Sequence, residues 1–540
     1  MIHGFRQIAS LTLASRVLGM VRDMAYSYFL GAGGLMDAWT IAFRIPNLAR
    51  RMFGEGAASA SFIPVYSEQL ERDPDTAGDL ASTVVSVVVA ITTALVLLGW
   101  LGMGLYGAGA GRALPLPPDT NRVLTLSSIM LPYMVMVCAA AILAGILNVH
   151  KHFAAPAAAP VLLNVCIIGT LAVTGWALHL EPEQQVFYVA IGVLAAGVAQ
   201  LVLQWLPLRR AGVTLRPAWA VRTTSFRRIM WLMGPMMVGL TATQLNTLAD
   251  DVIAWWFSAS PQKGPAFEIM GRTVAYPLAR GSVSHLYYAQ RLYQFPLGVL
   301  GISLATAVFP VMSAAAARKD YAGLLATCAR GLGGAIFVAL PAAVGLILVA
   351  EPLIAVVFQH GQFTAQDTRR TAWTLSFYAL GLCGYFGQQI VTRAFYSVQD
   401  SKMPAMTALL AVGVNLVLNL TLIWPLGTAG LAASTALCSY LQVVVLVCAL
   451  RRRYGPQATQ GLIVTGSKTA LGTLIMAAVG GAGLVLMRPL GASFSADLVR
   501  LMVLVLGGTG VYILVARMLG NEMLAMLLGR RRADAVGQVR

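Results

Sequence analysis

Residues 16–67 read RVLGMVRDMAYSYFLGAGGLMDAWTIAFRIPNLARRMFGEGAASASFIPVYS. The stretch is apolar enough to form membrane helices, and yet it carries eight charged side chains: Arg16, Arg22, Asp23, Asp37, Arg44, Arg50, Arg51 and Glu55. A charge at the centre of a bilayer costs at least about 2.5–3.5 kcal/mol, so such charges persist only where they face water or one another. We therefore interpret this stretch as two helices that line a polar cavity inside a membrane protein.

The surplus charge in this stretch is positive. Guanidinium groups keep their charge and match phosphate oxygens with two parallel hydrogen bonds. The pattern therefore favours a binding site for an anionic group. The alternative is that Arg50 and Arg51 anchor the helix at the membrane surface, and that Arg16 pairs with Asp23, which lies one heptad away on the same helix face.

The composition places the whole chain in a membrane. Of its 540 residues, 58% are hydrophobic and only 11% are charged, whereas soluble domains carry about 25% charged residues. Apolar runs of about 20 residues span a bilayer as helices. We predict an all-α polytopic protein with about fourteen such helices, with approximate cores at 8–30, 35–66, 82–106, 122–149, 158–178, 186–207, 229–257, 286–314, 328–357, 370–398, 405–425, 429–450, 468–487 and 499–519.

The net charge of +17 would suggest nucleic-acid binding in a soluble protein. Here it follows the preference of cytoplasmic loops for Lys and Arg, because basic clusters occupy alternate connections: 150–152, 209–228, 318–319, 451–453 and 530–532. An even number of spans then leaves both termini in the cytoplasm. Charges interrupt the first apolar segment and no cleavage pattern follows it, so we expect the first helix to remain in the protein.

Two parts of the sequence recur at nearly one spacing. Pro64 and Pro310 end similar segments 246 positions apart, and Pro156 and Pro404 lie 248 apart. Six predicted spans separate the partners, which predicts a parallel repeat of two six-helix lobes that rock around a central cavity. We predict an N-lobe at 1–220, a C-lobe at 221–455 and two additional helices with a basic tail at 456–540. The alternative is that helices ending in proline simply look alike.

Two further groups of polar residues stand out. Arg291 lies among tyrosines at the start of the eighth span, where it either aims at the cavity or sits in an interfacial aromatic belt. Span 7 contains Asp250 and Asp251, span 11 contains Asn415 and Asn419 on one face, and span 12 contains Thr435. Their oxygens suit a monovalent cation, but interhelical hydrogen bonds would explain the amides and hydroxyls equally well.

Motifs of soluble enzymes are missing from suitable positions in the sequence, including HExxH, the P-loop and GxSxG. The six cysteines are scattered singly through apolar helices and show no CxxC pair, which indicates small core residues. The connection 258–285 is the longest one predicted to face outward, and it could form an interfacial segment or a lid.

Several motifs together resemble one transporter family. They include Ser15-Arg16-Val17-Leu18-Gly19, Arg22-Asp23, Asp37-Ala38, Pro46-Asn47-Leu48, Arg50-Arg51-Met52-Phe53, Glu55-Gly56-Ala57, Phe62-Ile63-Pro64, Tyr288-Ala289-x-Arg291-Leu292, Phe295-Pro296-x-Gly298, Phe358-Gln359-x-Gly361-x-Phe363-Thr364 and Phe395-Tyr396-Ser397. In this order the chain closely resembles the MurJ (MviN) family. Its members flip lipid II, the undecaprenyl-pyrophosphate-linked peptidoglycan precursor, across the bacterial inner membrane.

The resemblance implies the fold of the multidrug/oligosaccharidyl-lipid/polysaccharide (MOP) exporter superfamily. It implies cavity arginines at Arg16, Arg22, Arg50 and Arg291 and functional acids at Asp37 and Glu55. We add Arg44 and Arg51, so that the predicted substrate-binding set is Arg16, Arg22, Asp37, Arg44, Arg50, Arg51, Glu55 and Arg291. The last two spans would form a groove for the lipid tail. Cell-wall synthases are possible partners.

Some members of the family bind sodium between spans 7, 11 and 12, which corresponds to Asp250, Asn415, Asn419 and Thr435. Here Asn419 replaces a carboxylate, which weakens the case for Na⁺ as a coupling ion. Gln290 likewise replaces an acid next to Arg291, and the connection 258–285 is longer than usual. The competing functions are export of another polyprenyl-linked saccharide or an amphipathic drug, an undecaprenyl-pyrophosphate phosphatase, and a non-transporting scaffold.

Overall fold

The structure is a computed structural model that describes residues 2–52, 57–110, 118–269 and 271–527. Of the described residues, 85% are helical, and the regular strands among them are the two of one short hairpin. The predicted all-α class is therefore confirmed. It follows from long apolar segments, because a helix satisfies all its backbone hydrogen bonds internally and can be surrounded by lipid.

The chain forms two compact units. The first comprises the residues up to Ser284 together with His360–Phe363, and the second comprises His285–Gln359 and Thr364 onward. The elements of the first unit are α1 (Ile2–Leu30), α2 (Gly34–Ala49), α3 (Ala57–Arg72), α4 (Pro74–Ala110), α5 (Pro118–Val149), α6 (Ala154–Ala172), α7 (Pro182–Arg210), α8 (Thr224–Trp256), β1 (Ala266–Ile269) and β2 (Arg272–Ala275).

The second unit begins three residues into a helix. Its elements are α9 (Ser282–Pro296), α10 (Ile302–Ala317), α11 (Tyr321–Leu348), α12 (Ala350–Phe358), α13 (Ala365–Leu380), α14 (Leu382–Ser397), α15 (Lys402–Leu426), α16 (Thr428–Tyr454), α17 (Leu462–Leu486), α18 (Phe494–Met518) and α19 (Glu522–Leu527). Of α9, residues 282–284 belong to the first unit.

Ten stretches of helix among the described residues are long and apolar enough to cross a membrane. They correspond to predicted spans 3–6, 8, 9 and 11–14. The other four predicted spans are helical where they are described, but α1 and α8 carry ionisable side chains, and span 10 is divided into two helices, α13 and α14. Span 2 includes α2 and α3, and residues 53–56 between them lie outside the described part of the chain. The total of fourteen stays a prediction.

In the first unit, α1 packs against α6, α2 against α5, and α3 against α8. The connection that follows α12 also adds to this unit: the Gln362 backbone N–H donates to the Tyr28 carbonyl oxygen at 2.9 Å. Gly361 permits this approach, because it has φ +58° and a Cβ at this position would lie 2.2 Å from the Tyr28 oxygen. This glycine-dependent turn thereby joins the end of α1 to a segment 334 residues later.

In the second unit, α17 packs against α11 and α18. A buried cluster formed by Phe337, Met476, Tyr512, Ala516 and Met523 holds these helices together. The Tyr512 hydroxyl donates to the Phe337 carbonyl oxygen at 2.7 Å. The last two predicted spans are therefore integrated into the unit by a specific polar contact within an apolar interface.

The compact units and the lobes predicted from the repeat differ in where they place α8. The repeat places this helix, predicted span 7, at the start of a C-lobe, whereas its packing places it in the first compact unit. Of the repeated prolines, Pro64 lies in α3 and Pro310 in α10. The lobe boundaries at 220 and 455 stay a prediction about the repeat.

The long connection 258–285 contains an antiparallel β-hairpin. In its register Ala266 is opposite Ala275, and Ile269 is opposite Arg272. The Lys263 ammonium group donates to the carbonyl oxygens of Trp255 and Trp256, each at 3.2 Å, at the C-terminal end of α8. A cation at that end also complements the helix dipole. The hairpin is thereby fastened to α8.

Candidate functional site

Arg22 is buried where α1 packs against α6. Its Nε and Nη2 donate to Asp23 Oδ1 at 3.1 and 2.8 Å, and its Nη1 donates to Asn164 Oδ1 at 3.0 Å. The guanidinium carbon lies 5.6 Å from the centre of the Tyr26 ring. Asp23 therefore pairs with Arg22 in this structure, and the sequence-based alternative of an Arg16–Asp23 pair is not what the contacts show.

Arg44 joins α2 to α8. Its Nε donates to Asp251 Oδ2 at 2.5 Å, and the two side chains are 19% and 1% exposed. The second oxygen of Asp251 is buried and accepts no hydrogen bond from the described residues. Of the two aspartates singled out in span 7, Asp251 is thus the partner of a predicted substrate-binding arginine. The contact also explains how a carboxylate persists in a largely apolar helix.

The remaining arginines of the N-terminal set contact neutral groups. Arg50 Nε donates to Asn47 Oδ1 at 3.3 Å, and Arg51 Nη1 donates to Gln244 Oε1 at 3.1 Å. Arg16 is exposed and has no carboxylate partner among the residues that the structure describes. Glu55 lies outside the described residues.

Asp37 binds the first turn of α9. Its Oδ2 accepts the Gly281 backbone N–H at 2.8 Å, and its Oδ1 accepts the Ser284 backbone N–H at 2.7 Å and the Ser284 hydroxyl at 2.5 Å. The first N–H groups of a helix have no partner within the helix. Gly281 has no side chain to cap them, so Asp37 supplies from α2 the cap that α9 lacks. We call Asp37, Gly281 and Ser284 the α9 clasp.

Arg291 is half-buried two turns further along α9, in the second unit. Its Nη2 donates to the Tyr287 hydroxyl at 3.2 Å, and its guanidinium carbon lies 4.8 Å from the centre of the same ring. The aromatic residues noted in the sequence therefore orient this arginine, since a ring face attracts a cation. The role of Arg291 toward a substrate stays a prediction.

The proposed sodium ligands are divided between the two units. Asn419 Nδ2 donates to Asn415 Oδ1 at 2.8 Å, and Asn415 Nδ2 lies 3.5 Å from Thr435 Oγ1, all within the second unit. Asp250 is buried in the first unit. The three residues on α15 and α16 form interhelical and intrahelical hydrogen bonds, and one amide oxygen that could bind an ion already accepts an N–H. Among the described residues no cluster of three or more His, Cys, Asp or Glu could hold a metal.

The site in the first unit is a set of oriented cations with excess positive charge. Among the described residues of this unit, the contacts above involve four arginines, Arg22, Arg44, Arg50 and Arg51, and three carboxylates, Asp23, Asp37 and Asp251. Asp37 is already engaged by backbone N–H groups, and the exposed Arg16 adds a further cation. Because partners fix the guanidinium planes in advance, less conformational entropy is lost when an anion binds. Such an arrangement suits recognition of a phosphate or pyrophosphate.

Sequence reasoning missed two partners. Asn164, which orients Arg22, was signalled only as one amide in the apolar helix α6. Gly281, which donates to Asp37, was hidden in a connection whose structure the sequence left undecided. Neither pairing has a local signal, because the partners lie 142 and 244 positions apart in the chain.

Comparison with known proteins identifies the family of this chain. The chain matches the family model described as lipid II flippase MurJ over residues 26–502. A Vibrio cholerae protein named probable lipid II flippase MurJ is 33% identical over 448 residues, which is 81% of each chain. A Burkholderia cenocepacia protein named lipid II flippase MurJ is 31% identical over 460 residues, which is 83% of each chain.

Solved structures share the fold. One described as lipid II flippase MurJ in an inward closed conformation covers 96% of this chain and 99% of its own, with a TM-score of 0.75 and 24% identity. An inward-facing MATE transporter of the MOP superfamily covers 83% of this chain and 97% of its own, with a TM-score of 0.63 and 12% identity. The fold predicted from the resemblance is therefore confirmed, and the chain belongs to the MurJ family.

Proposed function

We propose that this protein moves lipid II from the cytoplasmic to the outer leaflet of the bacterial inner membrane by alternating access, without catalysing a reaction. The observation that carries the proposal is the set of oriented guanidinium groups on α1 and α2, in a chain that belongs to the MurJ family. Relatives named as lipid II flippases support the substrate.

The arginines lower the barrier that the headgroup meets. Moving an unpaired pyrophosphate into hydrocarbon would cost tens of kcal/mol. Arg16, Arg22, Arg50 and Arg291 would replace its hydration, and Arg44 and Arg51 would add to the positive potential. Asp23 and Asn164 hold the Arg22 fork in one orientation, so the group is arranged before the pyrophosphate arrives.

The polyprenyl tail needs no polar path. It would remain in lipid beside α17 and α18, where Leu474, Leu486, Leu506 and Leu514 are each at least 60% exposed. The Phe337–Tyr512 interface keeps these two helices against α11. The headgroup would therefore cross through a wet cavity while the tail stays in an apolar environment.

The energy would come from the membrane potential or an ion gradient. We place both termini in the cytoplasm, and a negative interior then favours outward movement of an anionic headgroup by about 2.3 kcal/mol per charge per 100 mV. Asp250, Asn415, Asn419 and Thr435 would be the ligands of a coupling sodium ion. One carboxylate with amide and hydroxyl oxygens suits Na⁺, but the ion would compete with the Asn419–Asn415 hydrogen bond.

The test is transport by the full-length protein in proteoliposomes, with Arg22→Ala and Arg291→Ala compared with the wild type. Each variant should reduce lipid II translocation at least about tenfold, because it removes a guanidinium that would bind pyrophosphate. Arg22→Lys keeps the charge without the fork and should restore only part of the rate. The matched control is Arg318→Gln, in a connection predicted to be cytoplasmic, which should leave the rate unchanged.

Two outcomes would contradict the proposal. One is full complementation of a flippase-depleted strain by both alanine variants at normal expression. The other is preference of the wild type for an amphipathic drug or another polyprenyl-linked saccharide over lipid II in the same vesicles. Phosphate release from the substrate, measured in parallel, would instead indicate an enzyme.

A further inference from the structure

Arg280 lies between the β-hairpin and α9 and immediately precedes the clasp residue Gly281. Its Nη2 donates to Asp119 Oδ1 at 2.8 Å. Gly34, one turn before Asp37 on α2, makes room for the guanidinium: a Cβ at position 34 would lie 2.2 Å from the Arg280 Nε. The side chain of Arg280 therefore passes over the start of α2 to reach the start of α5.

The partner of Arg280 belongs to a chain of alternating charges. Asp119 is 8% exposed and also accepts from Arg122 at 3.1 Å, and Arg122 in turn pairs with Glu183. Asp119 and Glu183 lie in the first turns of α5 and α7, as Asp37 does in α2. Carboxylates at these positions are stabilised by the helix dipoles. The network thus connects the beginnings of α5 and α7 to Arg280, two residues before the start of α9.

The ion-pair network ends at Arg280, close to the point where the chain passes from the first compact unit to the second. Ser284 is the last residue of that unit before the chain enters the second unit at His285. Arg291 follows seven residues later on the same helix, about two turns. The position of the Gly281 and Ser284 donors therefore determines where the helix that carries Arg291 begins.

We propose that Arg280 is a positioning residue for the α9 clasp: by binding Asp119 across Gly34, it holds the Gly281 and Ser284 N–H groups against Asp37. The clasp would break when the predicted outer end of the protein opens during transport, so Arg280 sets how easily that step occurs. This second part rests on the proposed function, whereas the first part concerns contacts alone.

The experiment measures amide hydrogen exchange in the full-length protein and transport in proteoliposomes. Arg280→Gln should raise exchange in the peptide that contains residues 281–284 about tenfold, since the donors lose their fixed position. Asp37→Ala serves as the positive control for a broken clasp. Arg280→Lys keeps the cation and should restore protection. Arg272→Gln, an exposed arginine of the same hairpin, is the matched negative control.

The variant Asp119→Asn tests whether Arg280 acts on the α9 clasp through Asp119. If Arg280 acts through Asp119, the double variant Arg280→Gln/Asp119→Asn should exchange no faster than either single variant, whereas independent effects would add. We expect the translocation rate of Arg280→Gln to change at least threefold with an unchanged half-saturating lipid concentration.

The outcomes separate the two proposals. Unchanged exchange at 281–284 in Arg280→Gln would overturn the positioning role, whatever the transport result. Increased exchange with an unchanged translocation rate would overturn the link to opening. Failure of the wild type to translocate lipid II would refute the proposed function. The exchange result would then still decide whether Arg280 positions the α9 clasp.

Discussion

Two ion pairs attach the two ends of α8 to preceding helices, and the pairs differ in their exposure to solvent. Near its start, Arg228 binds Glu68 of α3 at 2.8 Å with side chains 58% and 36% exposed. Near its end, Asp251 binds Arg44 of α2 with side chains almost removed from solvent. The two pairs are about 35 Å apart along the helix. An arginine–carboxylate pair therefore forms a solvated contact at one end of α8 and a buried contact at the other.

The difference follows from desolvation. An exposed pair contributes about 0–1 kcal/mol, because water screens it and both side chains lose entropy. A buried pair also gains little over an apolar replacement, but removal of one partner leaves a charge without its counterion. The Arg44 end of α8 is therefore expected to resist movement, whereas the Arg228 end can separate from α3 at low cost.

Breaking the buried pair should have the largest effect. We expect Asp251→Ala to destabilise the protein by about 3–5 kcal/mol, since the Arg44 guanidinium loses its buried carboxylate. Thermal unfolding in detergent would measure this change. The paired variant Arg44→Leu/Asp251→Leu should recover most of the loss. A small shift in the single variant would show that Arg44 is well solvated and that the comparison is wrong.

A third ion pair, Asp400 with Arg453, is intermediate in exposure and should make the stability of the protein depend on pH. Asp400 caps α15 and binds Arg453 at 2.6 Å. Burial alone would raise the pKa of Asp400, but hydrogen bonds from the Met403 backbone and from Arg453 outweigh it and hold the pKa below its ordinary value of 3.8.

A carboxylate whose pKa is depressed by folding stabilises the protein above its unfolded pKa and loses this effect as pH falls through the folded pKa. We expect Asp400→Asn to narrow the stability difference between pH 6 and pH 3 by less than about 1 kcal/mol, because the pair is partly exposed. Unfolding measured at both pH values tests this. An unchanged pH dependence would mean that Asp400 has the same pKa in both states.

The smallest effect belongs to the exposed end of α8. Arg228→Gln should change the free energy of unfolding by no more than about 0.5 kcal/mol, since solvent already screens its contact with Glu68. Arg227→Gln, its exposed neighbour without a described acidic partner, is the matched control. A loss comparable to that of Asp251→Ala would remove the distinction between the two ends.

Much of the fold could be predicted from local signals. Apolar runs located the ten clear spans, because hydropathy and helix length are sufficient to define a span. The break within span 10, between α13 and α14, was not predicted, since it depends on packing. The β-hairpin was missed because its strands are four residues each and carry no strong alternation.

The candidate site was predicted in composition but not in pairing. Arg22, Asp37, Arg44 and Asp251 stood out as charges in apolar helices. The sequence does not show that Asp37 caps α9 or that Arg44 pairs with Asp251. Each of these contacts joins residues more than 200 positions apart. Local spacing instead suggested the Arg16–Asp23 pair.

Composition and local pattern are sufficient to identify this chain as a helical membrane protein with an excess of cations in its apolar helices, and its motifs point to its family. The reason is that the cost of charge in lipid and the length of apolar runs are local properties. The pairing of each arginine with its carboxylate, and the room that Gly34 leaves for Arg280, become known from the folded chain alone. Those choices depend on side chains brought within about 3 Å across helix interfaces, and no local pattern encodes them.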